Sequence, residues 1–267
     1  MIKADMHIHS TVSDGSCTME EIVVMAEQRG LDGIVFTEHD TLSHVEKLPK
    51  SRSVKVAAGL EISAFDYEKN LRVHVLGYGI KEPGKVEKLV HPTLEARHAN
   101  SMKQIHILNQ NGWEIDVEQV KKADGKYIYK QHIMDYLVSH GKAEELFGAF
   151  YYSVFKNGGI CHFDIEYADP LAAVRVIKDA GGYAVLAHSG QQQNFELIPA
   201  LAAAGLDGLE LNHHANSARD KMVIREYADR YKLFLTGGSD FHGRYEAGSP
   251  AVGDYLAEQS GAEKLFS

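Results

Sequence analysis

The chain has 267 residues, with 28 Lys+Arg against 37 Asp+Glu, a formal charge of −9 that leaves 15 histidines neutral. At 44% hydrophobic and 24% charged it is neither disordered nor collagen-like, and no apolar run approaches the roughly 18 residues that cross a bilayer, so no membrane association is expected. So acidic a chain is poorly suited to gripping long nucleic acid through counterion release. Cys17 and Cys161 are too few for a disulfide scaffold, and the first residues lack the apolar stretch of a signal peptide, so the cytoplasm is the expected location.

Residues 2–8 alternate, with Ile2, Ala4, Met6 and Ile8 on one face and Lys3, Asp5, His7 and His9 on the other, which predicts a strand. Thr18 and Glu21 form a capping-box signature that opens a helix through Arg29 and stops at Gly30. Strands are predicted at 33–36, 54–58 and 72–76; the first two end at Thr37-Glu38-His39-Asp40 and Gly59-Leu60-Glu61, and the third carries His74. From Pro83 to Asp164 helical stretches (94–111, 117–122, 132–139, 144–155) follow one another without a strand. Strand–helix alternation then returns: helix 170–180, strand 183–187 ending at His188, helix 195–204, strand 208–211, helix 217–231, strand 233–236 ending at Ser239-Asp240-Phe241-His242. Such βα repetition predicts an α/β fold with a parallel sheet closed into a barrel, residues 1–82 and 165–267, interrupted by a helical insertion over 83–164.

His39, Glu61, His188, Asp240 and His242 each follow a predicted strand, and in a parallel barrel those ends gather at one rim. His7 and His9 add two imidazoles from one face of the first strand, Asp14 follows in a glycine-containing loop, and His74 comes from the fourth strand. Singly these signals are weak, since His39 reads equally as a satisfied core residue and Asp240 as a helix cap. Glu61 says more, because a carboxylate buried without a partner costs several kcal/mol. Their coincidence at one rim points to a metal centre. Imidazole and carboxylate without thiolate suit Mn, Fe or Zn as divalent ions, and nine candidate ligands exceed what one ion uses, so two or three ions are expected with a carboxylate such as Glu61 bridging. Such sites suit phosphate esters: one ion acidifies a water while the others neutralise phosphoryl oxygens. The ions would also draw an anion into an acidic protein.

The ordered motifs His7-Ile8-His9-Ser10, Ser13-Asp14-Gly15, Thr37-Glu38-His39-Asp40-Thr41, Gly59-Leu60-Glu61-Ile62-Ser63, Ala187-His188 and Gly238-Ser239-Asp240-Phe241-His242-Gly243 resemble those of the PHP (polymerase and histidinol phosphatase) superfamily. The resemblance implies a distorted seven-stranded (β/α) barrel with a di- or trinuclear metal site. It implies one ion on His7, His9, Glu61 and Asp240, a second on Glu61, His74 and His188, and a third on Asp14, His39 and His242. The insertion resembles the branch of nucleoside 3',5'-bisphosphate phosphatases and short-oligonucleotide 5'-exonucleases, which implies that it roofs the site and contacts phosphate. Arg97 and Asn100 fall in one such stretch, and Tyr129, Lys130, Gln131 and His132 in the other, where relatives commonly carry arginine, proline and histidine against Lys130, Gln131 and His132 here. Lysine keeps the charge but not the planar fork of arginine. Glu38 also stands where aspartate is frequent.

Other readings stay open. Arg97 and Lys130 read equally as solvated helix charges, and Lys121, Lys122, Lys126 and Lys130 as an ordinary basic helix face. His213 and His214 follow a strand and are candidates to reach substrate. Asp40 reads as a proton donor to the leaving oxygen or as an anchor orienting a histidine. The expected activity is hydrolysis of a small phosphomonoester, a nucleoside 3',5'-bisphosphate first. The alternatives are 5'-to-3' exonuclease action on short oligonucleotides, histidinol-phosphate hydrolysis, amide hydrolysis, and a metal-binding regulatory module.

Overall fold

The computed structural model describes residues 1–120, 126–245 and 250–267. Seven strands form one sheet in chain order: β1 (Ala4–Ile8), β2 (Gly33–His39), β3 (Lys55–Asp66), β4 (Leu71–Tyr78), β5 (Tyr183–Leu186), β6 (Gly208–Asn212) and β7 (Phe234–Gly237). The chain after β7 returns to β1: Asp240 N–H donates to His7 O at 2.8 Å and His9 N–H to Phe241 O at 2.9 Å. The sheet thus nearly closes, and the fold is a distorted seven-stranded barrel.

Among the described residues the helices are α1 (Met19–Gln28), α2 (Pro83–Gln110), α3 (Val117–Val120), α4 (Lys130–Ser139), α5 (Ala149–Phe155), α6 (Pro170–Asp179), α7 (Ser189–Gln192), α8 (Ile198–Ala204), α9 (Ala218–Tyr231) and α10 (Gln259–Phe266). The Thr18/Glu21 capping box opens α1 as expected. α2 starts earlier than its sequence suggests and runs through Pro92, a residue that usually ends a helix. Lys121 and Lys122 lie outside the described residues. No described helix is long and apolar enough to cross a membrane.

The sheet departs from the parallel expectation at β4, which pairs antiparallel with both β3 and β5. β3 does not stop near Ala58 but continues to Asp66. There a tight turn reverses the chain without a crossover helix: Asp66 Oδ1 accepts the N–H groups of Glu68 and Lys69, and Asn70 takes φ +55°. Glu61 therefore sits in mid-strand opposite Leu76 rather than beyond a strand end. Leu60, Ile62 and Ala64 pack with Val73 and Val75 in the largest apolar cluster, which includes Val174 and Ile177 of α6. The period of two then turns Glu61, Ser63 and His74 to the barrel interior.

β1 breaks its own alternation. Its register on β2 slips between Asp5 and Ile8, a bulge that puts Ala4 and Met6 in the interior cluster while Ile8 packs against Ile22 of α1. α10 stoppers the opposite end of the barrel, where Ala262 and Phe266 meet Ala4, Met6, Val35 and Tyr78. Between β4 and α6, Ile105, Leu108, Ile133, Leu137 and Phe155 build a separate apolar cluster. Val86 and Val90 at the start of α2 belong to the barrel's cluster, so one long helix spans both.

Candidate metal centre

Glu61 is the hub of the site. Its Oε2 lies 3.1 Å from His7 Nε2, 3.1 Å from His9 Nε2 and 3.5 Å from His39 Nδ1. Its Oε1 lies 2.6 Å from His74 Nδ1 and 2.9 Å from His188 Nε2. Asp240 Oδ1 stands 3.2 Å from both His7 Nε2 and His9 Nε2. Asp14 faces His9, His39 and His242 at 3.5–3.8 Å. Strands β1 to β5 and the chain after β7 thus send all nine expected ligands to one place. Their donor atoms fall into groups within 4.8 Å: His7/His9/Glu61/Asp240, Glu61/His74/His188 and His9/Asp14/His39/His242, with His7/Glu210/His213 beside them.

The donors fit divalent ions. Among the described residues no hydrogen-bond partner meets either ring nitrogen of buried His9, Nδ1 of His39 or His188, or Oδ1 of Asp240, although charged atoms crowd around them. Unsatisfied buried polar atoms are costly and rare, and a shared cation answers them. Burial pushes the Glu61 carboxyl up, but the imidazoles of His74, His39 and His7 outweigh it and hold Glu61 well below the ordinary range. Asp240 is likewise held down, by His7 and His242 against burial. Burial, with His9 and His74, brings His39 down to about 3 despite Asp14 and Glu61. Ionised carboxylates are the form that ligates metal, and although burial opposes it, the carboxylates around His7 and His9 push both imidazoles up, drawing in the positive charge that an ion would carry. The backbone is strained here too: Asp40, His188 and Asp240 have φ of +56°, +20° and +54°. Gly238 is required by close approach, since a Cβ there would stand 2.3 Å from His7 Cβ.

Further residues support the nine, and of these Glu210 was not singled out from the sequence. Glu210, fully buried on β6, accepts from His7 Nδ1 and from His188 N–H, both at 2.9 Å, and so holds two of the nine. A lone carboxylate in Leu209-Glu210-Leu211 is the same signal that marked Glu61. Asp5 accepts from Ser239 N–H and Gly253 N–H, tying β1 to the chain after β7. Glu38 accepts the N–H and hydroxyl groups of Ser10 and Ser13, which fixes the loop carrying Asp14. From α4 and the residue before it, Gln131 donates to Asp14 Oδ2 at 2.9 Å and Tyr129 OH to His39 O at 3.1 Å.

The centre floors a cavity of about 310 Å³ walled by Gln131, Phe147, Gln191 and Tyr245. A larger open depression of about 920 Å³ lies at the opposite end, between residues 48–56 and Phe266, away from all nine residues. Arg97, Asn100, Lys130, His132 and His214 are not in the cavity wall. Arg97 donates to Asp40 Oδ2 at 2.9 Å and Ser63 Oγ at 3.0 Å and lies over the Tyr129 ring. Asp40 Oδ1 accepts Ser63 N–H, so both carboxylate oxygens are engaged. Asn100 bonds Phe163 O, buried His132 accepts Tyr129 N–H at the start of α4, and His214 rests on the ring of His213.

The PHP domain model matches residues 5–169. A phosphoribosyl 1,2-cyclic phosphate 1,2-diphosphodiesterase of Eggerthella lenta is 43% identical over 247 residues, covering 90% of this chain and 94% of its own. A 3',5'-nucleoside bisphosphate phosphatase of Chromobacterium violaceum is 28% identical over 268 residues, covering 93% and 90%. Among solved structures, a Bifidobacterium adolescentis chain assigned by inference as a metal-dependent phosphoesterase superposes with a TM-score of 0.84 at 26% identity, covering 98% and 94%.

Proposed function

The chain belongs to the PHP domain family, and on that premise we propose that this metal-dependent phosphoesterase acts on a small, doubly phosphorylated ribose compound, phosphoribosyl 1,2-cyclic phosphate first. The observation that carries the chemistry is Glu61, a buried carboxylate whose two oxygens face five histidines at the floor of the cavity. The observation that favours the substrate is the 43% identity, along nearly the whole chain, to an enzyme named for that cyclic diester. The cavity, about 310 Å³, is at the small end of ligand sites, which suits a sugar phosphate.

The residues that would hold two or three ions are His7, His9, Glu61 and Asp240, then Glu61, His74 and His188, then Asp14, His39 and His242. Divalent ions there would supply a water nucleophile at neutral pH and positive charge for the phosphoryl oxygens. Glu210 keeps the His7 ring aimed at Glu61 by accepting its Nδ1–H. Asp40 ties Arg97 of the roof to Ser63 of β3 and holds neither a histidine nor a proton for the leaving oxygen, because Arg97 and Ser63 occupy both its oxygens. In this reading residues 83–164 form a roof on a barrel of 1–82 and 165–267. Gln131, Tyr129 and Arg97 reach from the roof to Asp14, His39 and Asp40. Both cysteines are unpaired, which suits a cytoplasmic enzyme.

The monoester nucleoside 3',5'-bisphosphate is the second reading, favoured by the Chromobacterium relative. Lys130 and Gln131, standing where that branch commonly has arginine and proline, place it second. The test is a comparison of kcat/KM for metal-loaded protein on phosphoribosyl 1,2-cyclic phosphate, adenosine 3',5'-bisphosphate, histidinol phosphate and a short RNA. The cyclic diester is expected to give the highest value. A higher value on histidinol phosphate or RNA overturns the proposal, and one on the bisphosphate selects the second reading.

A further inference from the structure

By sequence His213 is a candidate to reach substrate, yet the structure keeps it out of the cavity wall and buries it completely. It follows β6 directly, on a loop held at several points. Asn212 O accepts Gly238 N–H at 3.0 Å, which ties the end of β6 to the segment that carries Asp240. Asn216 donates through Nδ2 to the carbonyls of Glu210 and Leu211, and its Oδ1 accepts Gly190 N–H. Its own N–H returns to His213 O at 3.2 Å. A buried ring on so fixed a backbone acts on its neighbours and not on substrate.

The hydrogen bonds on the ring set its tautomer. Ala215 N–H donates to Nδ1 at 3.1 Å, so Nδ1 carries the lone pair and the proton sits on Nε2. Nε2 stands 3.3 Å from Asp240 Oδ2 and donates to it. The other oxygen, Oδ1, is the one that faces His7 and His9 at 3.2 Å. Asp240 needs such a hold, since it lies beyond the end of β7 with φ of +54°. His213 also forms a group with His7 and Glu210 whose donor atoms lie within 4.8 Å of one another. That group is no further ion site, because His7 Nδ1 is given to Glu210 and both nitrogens of His213 are engaged.

We propose that His213 is a positioning residue: it holds Asp240 Oδ2 by a hydrogen bond and so presents Oδ1 alone to the ion on His7, His9 and Glu61. The inference rests on the metal-centre reading above. Partners that orient a ligating carboxylate in this way set metal affinity over about 10–100-fold. Asp240 belongs to one ligand group, whereas Glu61, His74 and His188 form another without it. The effect therefore falls on one ion and leaves the other in place.

The test compares H213N and H213Q with wild type. Asparagine can accept from Ala215 but is too short to reach Asp240, whereas glutamine brings an amide N–H close to where the ring carried its own. Manganese binding is followed by competition against a chromophoric chelator, and circular dichroism of the chelated proteins reports folding. H213N is expected to hold one equivalent about 10–100-fold more weakly, with the remainder at wild-type affinity, and H213Q is expected to stay close to wild type. A general packing role would move both variants together, so equal losses in folded H213N and H213Q overturn the proposal. Long-range proton–nitrogen spectra of zinc-loaded wild-type protein give a second readout, with the His213 ring assigned by its absence in either variant. A proton on Nε2 supports the proposal and one on Nδ1 overturns it. Wild-type protein that takes up no ion at the cluster overturns the metal reading and this role with it, whereas wild-type uptake matched by H213N overturns the role alone.

Discussion

Glu210→Gln isolates the link between the second carboxylate of the barrel and the metal centre. Glu210 is fully buried, and each of its oxygens accepts one N–H, from His7 Nδ1 and from the His188 backbone, at 2.9 Å. Glutamine matches the shape but has one acceptor oxygen and one NH₂, so one of those donors must face another donor. The change removes one charge-assisted hydrogen bond, about 1.5–3 kcal/mol. It also frees the His7 ring, which Glu210 orients towards Glu61 and Asp240. Losing such a support costs roughly 10–100-fold in metal affinity. Competition against a chromophoric chelator measures that affinity, and circular dichroism of the chelated protein reports whether the variant is folded. A folded E210Q protein with wild-type metal affinity would refute the reasoning, because the His7–Glu210 bond would then be idle.

Arg97→Met leaves buried Asp40 without its cation; breaking a buried pair costs about 3–5 kcal/mol, and the lower figure is expected in urea unfolding, because burial already pushes the Asp40 carboxyl up and lets it take a proton. Burial first, then the charges of Lys156, Arg97 and Arg72 against that of Asp164, bring Lys130 down to about 8. Its charge is therefore lost as pH rises through that value, so KM for a doubly phosphorylated substrate is expected to climb above pH 8, whereas K130R should flatten the profile. Glu38→Gln weakens the four bonds from Ser10 and Ser13, with an expected loss of about 2 kcal/mol, read by thermal unfolding with and without metal; no loss in either would mean that the Asp14 loop does not depend on Glu38.

The barrel was legible because its strands are short apolar runs separated by helical stretches with clear caps, such as Thr18 to Glu21. The reversal at β4 was less so: Glu61 lies at a glycine-marked apparent strand end, while the Asp66 to Asn70 turn that sets direction contains no glycine or proline. The bulge in β1 leaves no mark in composition, because Asp5, Met6 and His7 alternate cleanly on paper. Most of the nine clustered side chains could be read because each is a polar residue on or just past a strand, where an apolar one would be ordinary, whereas Asp14 sits in a loop and was carried by motif order. Glu210 carries the same mark, but it stands in mid-strand and its partner His7 is 203 residues away. Substrate contacts were the hardest to read. A helix-borne Arg97 looks alike whether it faces phosphate, solvent or, as here, a buried aspartate.

The most direct test of the account is anomalous diffraction from crystals grown without chelator, with data at the manganese, iron and zinc edges. The account expects two or three peaks inside the cluster, with one on each side of Glu61 so that both of its oxygens are ligands. No peak within bonding distance of Glu61, or peaks confined to the surface, would contradict it.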